Sequence, residues 1–110
     1  MATPEDIRRL ALALPEATET DHHGIPSFRV RGKIFCTLHR DPPRMMVKLD
    51  PEDRRNLSEG HPGVVEPVAG YWGRKGSTFV AYERADAALL ATLLDMAWTN
   101  VAPARLRHRA

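Results

Sequence analysis

A segment that reads as a β-hairpin constrains the fold of this chain more than any other part of it. Apolar and polar residues alternate on both sides of Arg31-Gly32-Lys33, which predicts two half-buried strands joined by a tight turn. A three-residue loop places the apolar side chains on one face, namely Phe28, Val30, Ile34, Cys36 and Leu38. Arg29, Phe35 and Thr37 then share the opposite face. A two-residue Arg31-Gly32 turn would mix apolar and charged side chains, so we favour the longer loop.

Three segments have the pattern of helices. Thr3 is a good N-cap for a first helix with Pro4 at its first position, and Pro15 closes the helix. Asp50 caps a short second helix that ends at the glycines of residues 60–63. A third helix is expected to begin near Asp86, and its broad apolar stripe faces the sheet.

The remaining apolar runs predict strands at residues 45–49, 64–68 and 77–82. The proline-rich segment 40–44 is expected to be a turn and the glycine-rich segment 70–76 a loop. The element order is therefore α-β3-α-β2-α. A short acidic strand is also expected around residues 17–22, between the first helix and the hairpin, and it is not included in these five strands. We expect an α+β two-layer sandwich, in which a mainly antiparallel five-stranded sheet is covered by helices on one face.

The size of the chain suits one domain. Its 110 residues, 43% of them apolar, are enough for a single hydrophobic core, so we expect one domain over residues 1–106 and a flexible tail over 107–110. Cys36 has no partner for an internal disulfide and is predicted to be a small buried hydrophobe. The sequence shows neither a signal-peptide pattern nor a membrane span, which favours a cytoplasmic protein.

Charge is distributed unevenly along the chain. The net charge is only +2, but residues 22–49 hold six basic residues and one acidic residue, a local charge of +5. The flanking segments 1–21 and 50–66 each carry −3. A local excess of this kind favours a binding surface for polyanions.

Several short motifs occur together in this order: Leu14-Pro15-Glu16, His22-His23-Gly24, Pro26-Ser27-Phe28, Val30-Arg31-Gly32-Lys33, Val47-Lys48-Leu49, Gly73-Arg74 and Val101-Ala102-Pro103. The combination resembles the MmcQ/YjbR-like family from the first helix to Leu106. The resemblance implies the α-β3-α-β2-α layout, similar to secretion-chaperone-like and CyaY-like folds, and DNA binding by a double-wing arrangement. It implies no catalytic residues and no cofactor.

The sequence gives less support for an enzyme than for a binding protein. Adjacent strand residues such as His22 and His23 point to opposite faces and do not readily share a metal ion. Acidic residues near these histidines are read as solvent-exposed rather than as an acid/base pair. The serines lack the context of a nucleophile elbow, and no phosphate-binding glycine motif is present. We therefore predict no catalytic, metal or cofactor site.

The leading hypothesis is a non-enzymatic DNA-binding protein that contacts the phosphate backbone through two basic wings, Arg31-Gly32-Lys33 and Arg74-Lys75. An outward Phe35 or Trp72 would stack on an unpaired base. The residues predicted to bind nucleic acid are His22, His23, Arg29, Arg31, Lys33, Lys48, Trp72, Arg74 and Lys75.

Two alternatives use the same residues differently. The open sheet face would serve a protein partner, a second copy of the chain or a small ligand, or the arginines would simply pair with acids of the helices. If the cations converge on one exposed surface, nucleic-acid binding is favoured. If acidic side chains neutralise them, a structural role of these cations is favoured.

Overall fold

The computed structural model describes residues 1–107 and shows an α+β fold. The elements follow in the order α1 (Pro4–Leu12), β1 (Ala17–His22), β2 (Ile25–Val30), β3 (Lys33–Arg40), β4 (Pro43–Lys48), α2 (Pro51–Gly60), β5 (Val65–Pro67), α3 (Tyr71–Arg74), β6 (Ser77–Val80), a 3-10 turn (Tyr82–Arg84), α4 (Ala87–Val101) and α5 (Ala104–Arg107). The flexible tail was expected over residues 107–110. Arg107 is the last residue of α5, and residues 108–110 lie outside the described residues.

Across residues 1–107 the sheet contains six strands in the order β1-β2-β3-β4-β6-β5, and all neighbours are antiparallel. The expected antiparallel sheet is present, but the expected number of five strands is wrong. The acidic segment Ala17–His22 pairs with β2 along its whole length, from Ala17 opposite Val30 to His22 opposite Ile25. Its backbone therefore forms a full edge strand although its side chains are mostly exposed.

The predicted register of the hairpin is wrong in one detail that changes the faces. Val30 pairs directly with Lys33, so the turn has two residues, Arg31 and Gly32, both with positive φ (52° and 81°). The register then shifts between Phe28 and Arg29, which leaves one extra residue, Phe35, as a β-bulge.

The bulge exchanges the positions of Ile34 and Phe35. Phe28 still faces Cys36, but Ile34 now lies opposite Arg29. Phe35 is fully buried in the core and Ile34 is half-buried on the other face. The larger aromatic side chain gains more from burial than isoleucine would, and the bulge allows this without moving Cys36 or Leu38 out of the core.

Three other segments differ from expectation. β3 continues to Arg40 and β4 begins at Pro43, so the turn between them is shorter than the predicted turn at residues 40–44. Pro43 occupies the first position of its strand, where the missing N–H is tolerated. The predicted loop 70–76 contains the short helix α3, and the last strand stops at Val80.

The helix starts agree with the sequence signals. The Thr3 hydroxyl accepts from Asp6 N while the Asp6 carboxylate accepts from Thr3 N, a capping box. Asp50 accepts from Asp53 N at 2.8 Å, and Asp86 accepts from Leu89 N at 2.8 Å. Each side chain satisfies an N–H that the helix itself leaves without a partner.

The core lies between one face of the sheet and helices α1 and α4, which both contact β3. α4 contributes its apolar side of Leu90, Leu93, Leu94, Ala97 and Trp98, and α1 contributes Ile7 and Ala11. The Trp98 indole N–H donates to Pro15 O at 2.9 Å and thereby joins α4 to the segment after α1. Cys36 is fully buried in this core, and burial raises its thiol pKa, as expected for a structural cysteine.

Candidate functional site

A concave groove of about 610 Å³ lies on the other face of the sheet. We call it the sheet groove. Strand alternation determines which side chains line it, because every second residue of a strand points to this face. The apolar side chains of the groove are Ile25, Ile34, Met46, Val68, Trp72 and Phe79.

Cationic and titratable side chains surround this apolar floor. Arg29 comes from β2, Lys33 from the start of β3 and Lys48 from the end of β4, and His22 and His39 also line the groove. Among the described residues that line it, none is Asp or Glu. The groove is therefore a cationic site with an apolar floor.

The acids of the neighbouring edge strand are directed away from the groove. In β1, Glu19 and Asp21 alternate with the groove-side positions Thr18, Thr20 and His22. Glu19 accepts a hydrogen bond from Arg8 of α1 at 2.8 Å. Asp21 accepts from Gly24 N at 3.0 Å. Strand alternation thus separates acids from bases although they are close in sequence.

Lys48 lies beside the exposed aromatic ring of Trp72. Its Nζ donates to Ser77 Oγ at 3.1 Å and is 5.3 Å from the centroid of the Trp72 ring. Partial burial lowers the pKa of Lys48 from its ordinary value. A partly desolvated ammonium next to an indole face is suited to an anionic group on a flat aromatic ligand.

His39 forms the opposite part of the groove wall. Its Nε2 is 2.9 Å from Thr37 Oγ1, and its ring meets Phe79 edge to face at 6.0 Å between centroids. Burial, together with the nearby charge of Arg44, lowers the His39 pKa. The Arg44 guanidinium covers the Phe79 ring at 3.6 Å from its centroid. Phe79 is thus already stacked within the protein.

The short helix α3 presents Trp72 at the rim, where 60% of the residue is exposed. Gly70 begins the turn with φ 75°. A β-carbon on Gly73 would overlap the carbonyl oxygen of Val68, so this close approach requires glycine. Tyr71, the other exposed aromatic of α3, lies edge to face with Trp72 at 5.2 Å and carries Lys75 Nζ at 5.5 Å from its ring.

The structure separates the nine predicted residues into two groups. Five line the sheet groove: His22, Arg29, Lys33, Lys48 and Trp72. The others, His23, Arg31, Arg74 and Lys75, are exposed outside its lining. Of the two predicted wings, Gly32 and Lys33 line the groove, whereas Arg31, Arg74 and Lys75 lie outside its lining.

Arg31 is engaged by an acid. Its Nε is 2.6 Å from Glu16 Oε1, and its second contact to that carboxylate is 3.2 Å. The carboxylate raises the Arg31 pKa, and Arg31 lowers the pKa of Glu16. Arg29, by contrast, donates from Nε to the hydroxyl of Ser27 at 3.2 Å and keeps its charge directed at the groove.

Two expectations about aromatic and histidine rings are wrong. Phe35 is buried and is not a stacking residue. The rings of His22 and His23 do not point apart, because β1 ends at His22 and His23 has φ 55°. Their centroids lie 4.8 Å from each other.

His39, Met46, Ile34 and Phe79 were not predicted to belong to the site. The sequence did contain a signal for Met46, because strand alternation places Arg44, Met46 and Lys48 on one face. The position of Ile34 on this face could not be predicted without locating the bulge, which depends on pairing between strands.

Within residues 1–107, no group of three or more His, Cys, Asp or Glu side chains is placed to hold a metal ion. Among the helices of that same range, none combines the length and apolar character needed to cross a membrane.

Comparison with known proteins relates the chain to one family. No curated protein matches. A crystal structure of the Deinococcus radiodurans protein DR2400, with a domain designated DUF419, is similar with a TM-score of 0.75 and 25% sequence identity, covering 92% of this chain and 82% of that one. The family model described as YjbR matches residues 12–100, a range that includes all six strands of the described sheet. This match confirms the resemblance carried by the sequence motifs, and the chain belongs to the YjbR family.

Proposed function

We propose that this chain is a non-enzymatic nucleic-acid-binding protein and that the sheet groove is its binding surface. The observation that carries the proposal is the charge of the groove lining: Arg29, Lys33 and Lys48 line the groove, and no described acidic residue lines it. Phosphate contacts by such cations supply nearly all of the affinity of non-specific nucleic-acid binding and a large share of specific binding.

The two-layer arrangement supports this use of the open face. Helices α1 and α4 pack on the core side, and the groove is on the other side of the same sheet. Glu66 pairs with Phe79 and is an acid on the same sheet face, but it lines the adjoining cleft with Arg44 and not the groove. A polyanion in the groove therefore meets three cations and no described acid of the lining.

Hydrolytic chemistry has less support. The Ser27 hydroxyl contacts Thr20 and Arg29, and the Ser77 hydroxyl accepts from Lys48. Two hydroxyls of the groove do lie against a base, Ser77 at 3.1 Å from Lys48 Nζ and Thr37 at 2.9 Å from His39 Nε2. The described lining of the groove supplies no carboxylate to orient either base.

A matched pair of triple variants tests the proposal. Arg29→Gln/Lys33→Gln/Lys48→Gln removes three charges from the groove, and Arg31→Gln/Arg74→Gln/Lys75→Gln removes three from outside it. We expect the groove variant to lose at least about tenfold in affinity and to reduce the slope of log affinity against log salt by about 2, since each lost phosphate contact accounts for about 0.7 to 0.9.

The control variant has the same net charge and should remain within about threefold of the wild type. Fluorescence anisotropy with labelled DNA and RNA at several salt concentrations measures both quantities. An equal loss of affinity in both variants would show non-specific electrostatic attraction. A loss of affinity in the control variant alone would favour binding through the two predicted wings. An absence of binding at low salt would reject the function.

A protein partner is the second candidate, because the apolar floor of Ile34, Met46 and Phe79 is half-buried rather than covered. Exposed apolar patches of this kind often mark interaction surfaces. Met46→Gln would then abolish capture of the partner, whereas the loss of groove cations would leave it.

A further inference from the structure

The sheet groove is built differently from a surface that follows a duplex backbone. Its cations lie at the sides, and its floor is formed by Ile25, Ile34, Met46 and Phe79. Phosphates and sugars are poorly matched to an apolar floor because they would lose water without gaining hydrogen bonds. In a duplex the apolar base faces are stacked on one another and are not available to this floor.

Trp72 provides a surface for one exposed base. The indole is 60% exposed, and Lys48 Nζ lies 5.3 Å from its ring centroid. Base stacking on an aromatic side chain requires an unpaired nucleotide, and a cation beside the ring is then in position for the adjoining phosphate. Arg44 covers one face of the half-buried Phe79 ring at 3.6 Å, closer than Lys48 lies to Trp72, so the exposed Trp72 is the more available platform.

The positions of the cations define a path across the strands. Arg29 and Lys33 belong to the β2–β3 hairpin, whereas Trp72 follows β5 and lines the groove together with Ser77 of β6. From β2 to β6 there are three spacings of about 4.8 Å, about 14 Å in all. A path of this length corresponds to a short footprint, near the lower limit of about four nucleotides known for single-stranded sites on OB folds.

We propose that the groove binds an unpaired nucleic-acid strand, with one base stacked on Trp72, its phosphate near Lys48, and the neighbouring nucleotides crossing the apolar floor toward Arg29 and Lys33. This inference rests on the proposed function and narrows its ligand. DNA and RNA strands share the required chemistry of a flat base and an anionic phosphate. An acidic peptide matches the cations but has no base to stack on Trp72.

Equilibrium titrations of the full chain test the ligand class. The probes are oligothymidylates and oligouridylates from two to twelve nucleotides, a hairpin duplex of matched charge, and a polyglutamate peptide of matched charge. We expect the single strands to bind at least about tenfold more tightly than the duplex or the peptide, with little gain in affinity per site beyond about four nucleotides. The difference between the DNA and RNA arms identifies the preferred sugar.

Trp72→Leu tests the stacking contact, and Tyr71→Leu is its control because Tyr71 is a neighbouring exposed aromatic outside the groove lining. We expect Trp72→Leu to weaken single-strand binding by about tenfold or more, Trp72→Phe to recover part of that loss, and Tyr71→Leu to change affinity less than threefold. In the wild type, stacking should quench the fluorescence of exposed Trp72, whereas Trp98, buried in the core, should remain unaffected in both tryptophan variants.

The outcomes separate this inference from the broader function. If the duplex binds as tightly as the single strand and the groove triple variant weakens both, the groove binds nucleic acid but the inference is overturned. If polyglutamate competes as well as the oligonucleotide, or if Trp72→Leu leaves affinity and quenching unchanged, base stacking is rejected. Failure of every nucleic acid to bind would reject both proposals.

Discussion

Single glycines determine how the segment that carries Trp72 lies against the sheet. Gly76 has φ 98°, and a β-carbon at this position would be 2.5 Å from the carbonyl oxygen of Leu49. Its own carbonyl accepts from Leu49 N at 3.0 Å and from the Thr78 hydroxyl at 3.1 Å. The chain therefore passes close to the end of β4 just before β6, and Gly73 has a similar role beside Val68.

Gly76→Ala is expected to lower the free energy of unfolding by about 2 kcal/mol or more, because the backbone conformation and the contact with Leu49 both disfavour a side chain. Gly60→Ala is the control. Gly60 ends α2 without a positive φ or a neighbour within 4 Å, so alanine there should raise stability by about 0.5 kcal/mol. Urea unfolding of both variants measures the difference, and equal effects would contradict the close approach.

At the scale of elements, the β2–β3 hairpin combines a two-residue turn with a bulge. The sequence pattern identified both strands and the burial of Cys36, but it placed Ile34 in the core and Phe35 outside. Alternation alone cannot locate a bulge, since one extra residue reverses the faces only between the bulge and the turn. The result depends on which side chain packs better against α1 and α4.

The turn gives a prediction at the same scale. Arg31 has φ 52° and is paired with Glu16, so Arg31→Asn removes a surface ion pair but favours a type I′ turn. We expect stability to be unchanged or raised by up to about 1 kcal/mol in urea unfolding, and DNA affinity to be retained. Gly32→Ala, with φ 81° and open space around it, should instead lose about 1 kcal/mol. A large loss for Arg31→Asn would show that the ion pair holds the hairpin.

Across the whole molecule, strand alternation and ion pairing together decide which cations are available to a ligand. The cations of the groove, Arg29, Lys33 and Lys48, all come from the basic segment 22–49. Two other cations of that segment are paired with acids: Arg31 with Glu16, and Arg40 with Glu5 of α1 at 3.5 Å. Local net charge therefore overestimated the number of cations available to a ligand. The alternation of each strand decided which of them remain.

The pH dependence of stability provides a test at this scale. The pKa of His39 is lowered in the folded protein by burial and by Arg44, so the unfolded chain binds a proton more readily. Stability should consequently be complete above the unfolded pKa of about 6.5 and should decrease as pH falls through the interval down to the lowered folded pKa.

Urea unfolding between about pH 8 and pH 5 measures this slope. His39→Gln keeps a polar partner for Thr37 and should flatten the slope, whereas His23→Gln, a change at an exposed turn, should preserve it. The lowered pKa values of Glu5 and Glu16 affect stability at more acidic pH, below their ordinary values. An unchanged slope in His39→Gln would show that His39 is not the responsible group.

The sequence by itself determined the features that depend on neighbouring residues. Thr3, Asp50 and Asp86 marked the helix starts because capping is local, and strand alternation separated most core positions from the open face. The family motifs were also contained in the chain itself. These features need no knowledge of which strands pair.

Tertiary structure alone decided the composition of the sheet groove. The bulge at Phe35, the pair between Arg31 and Glu16, and the approach of Lys48 to Trp72 all join residues from different elements. Such contacts depend on strand register and on how α3 packs against β6, and those are set by the burial of the whole core rather than by local preference.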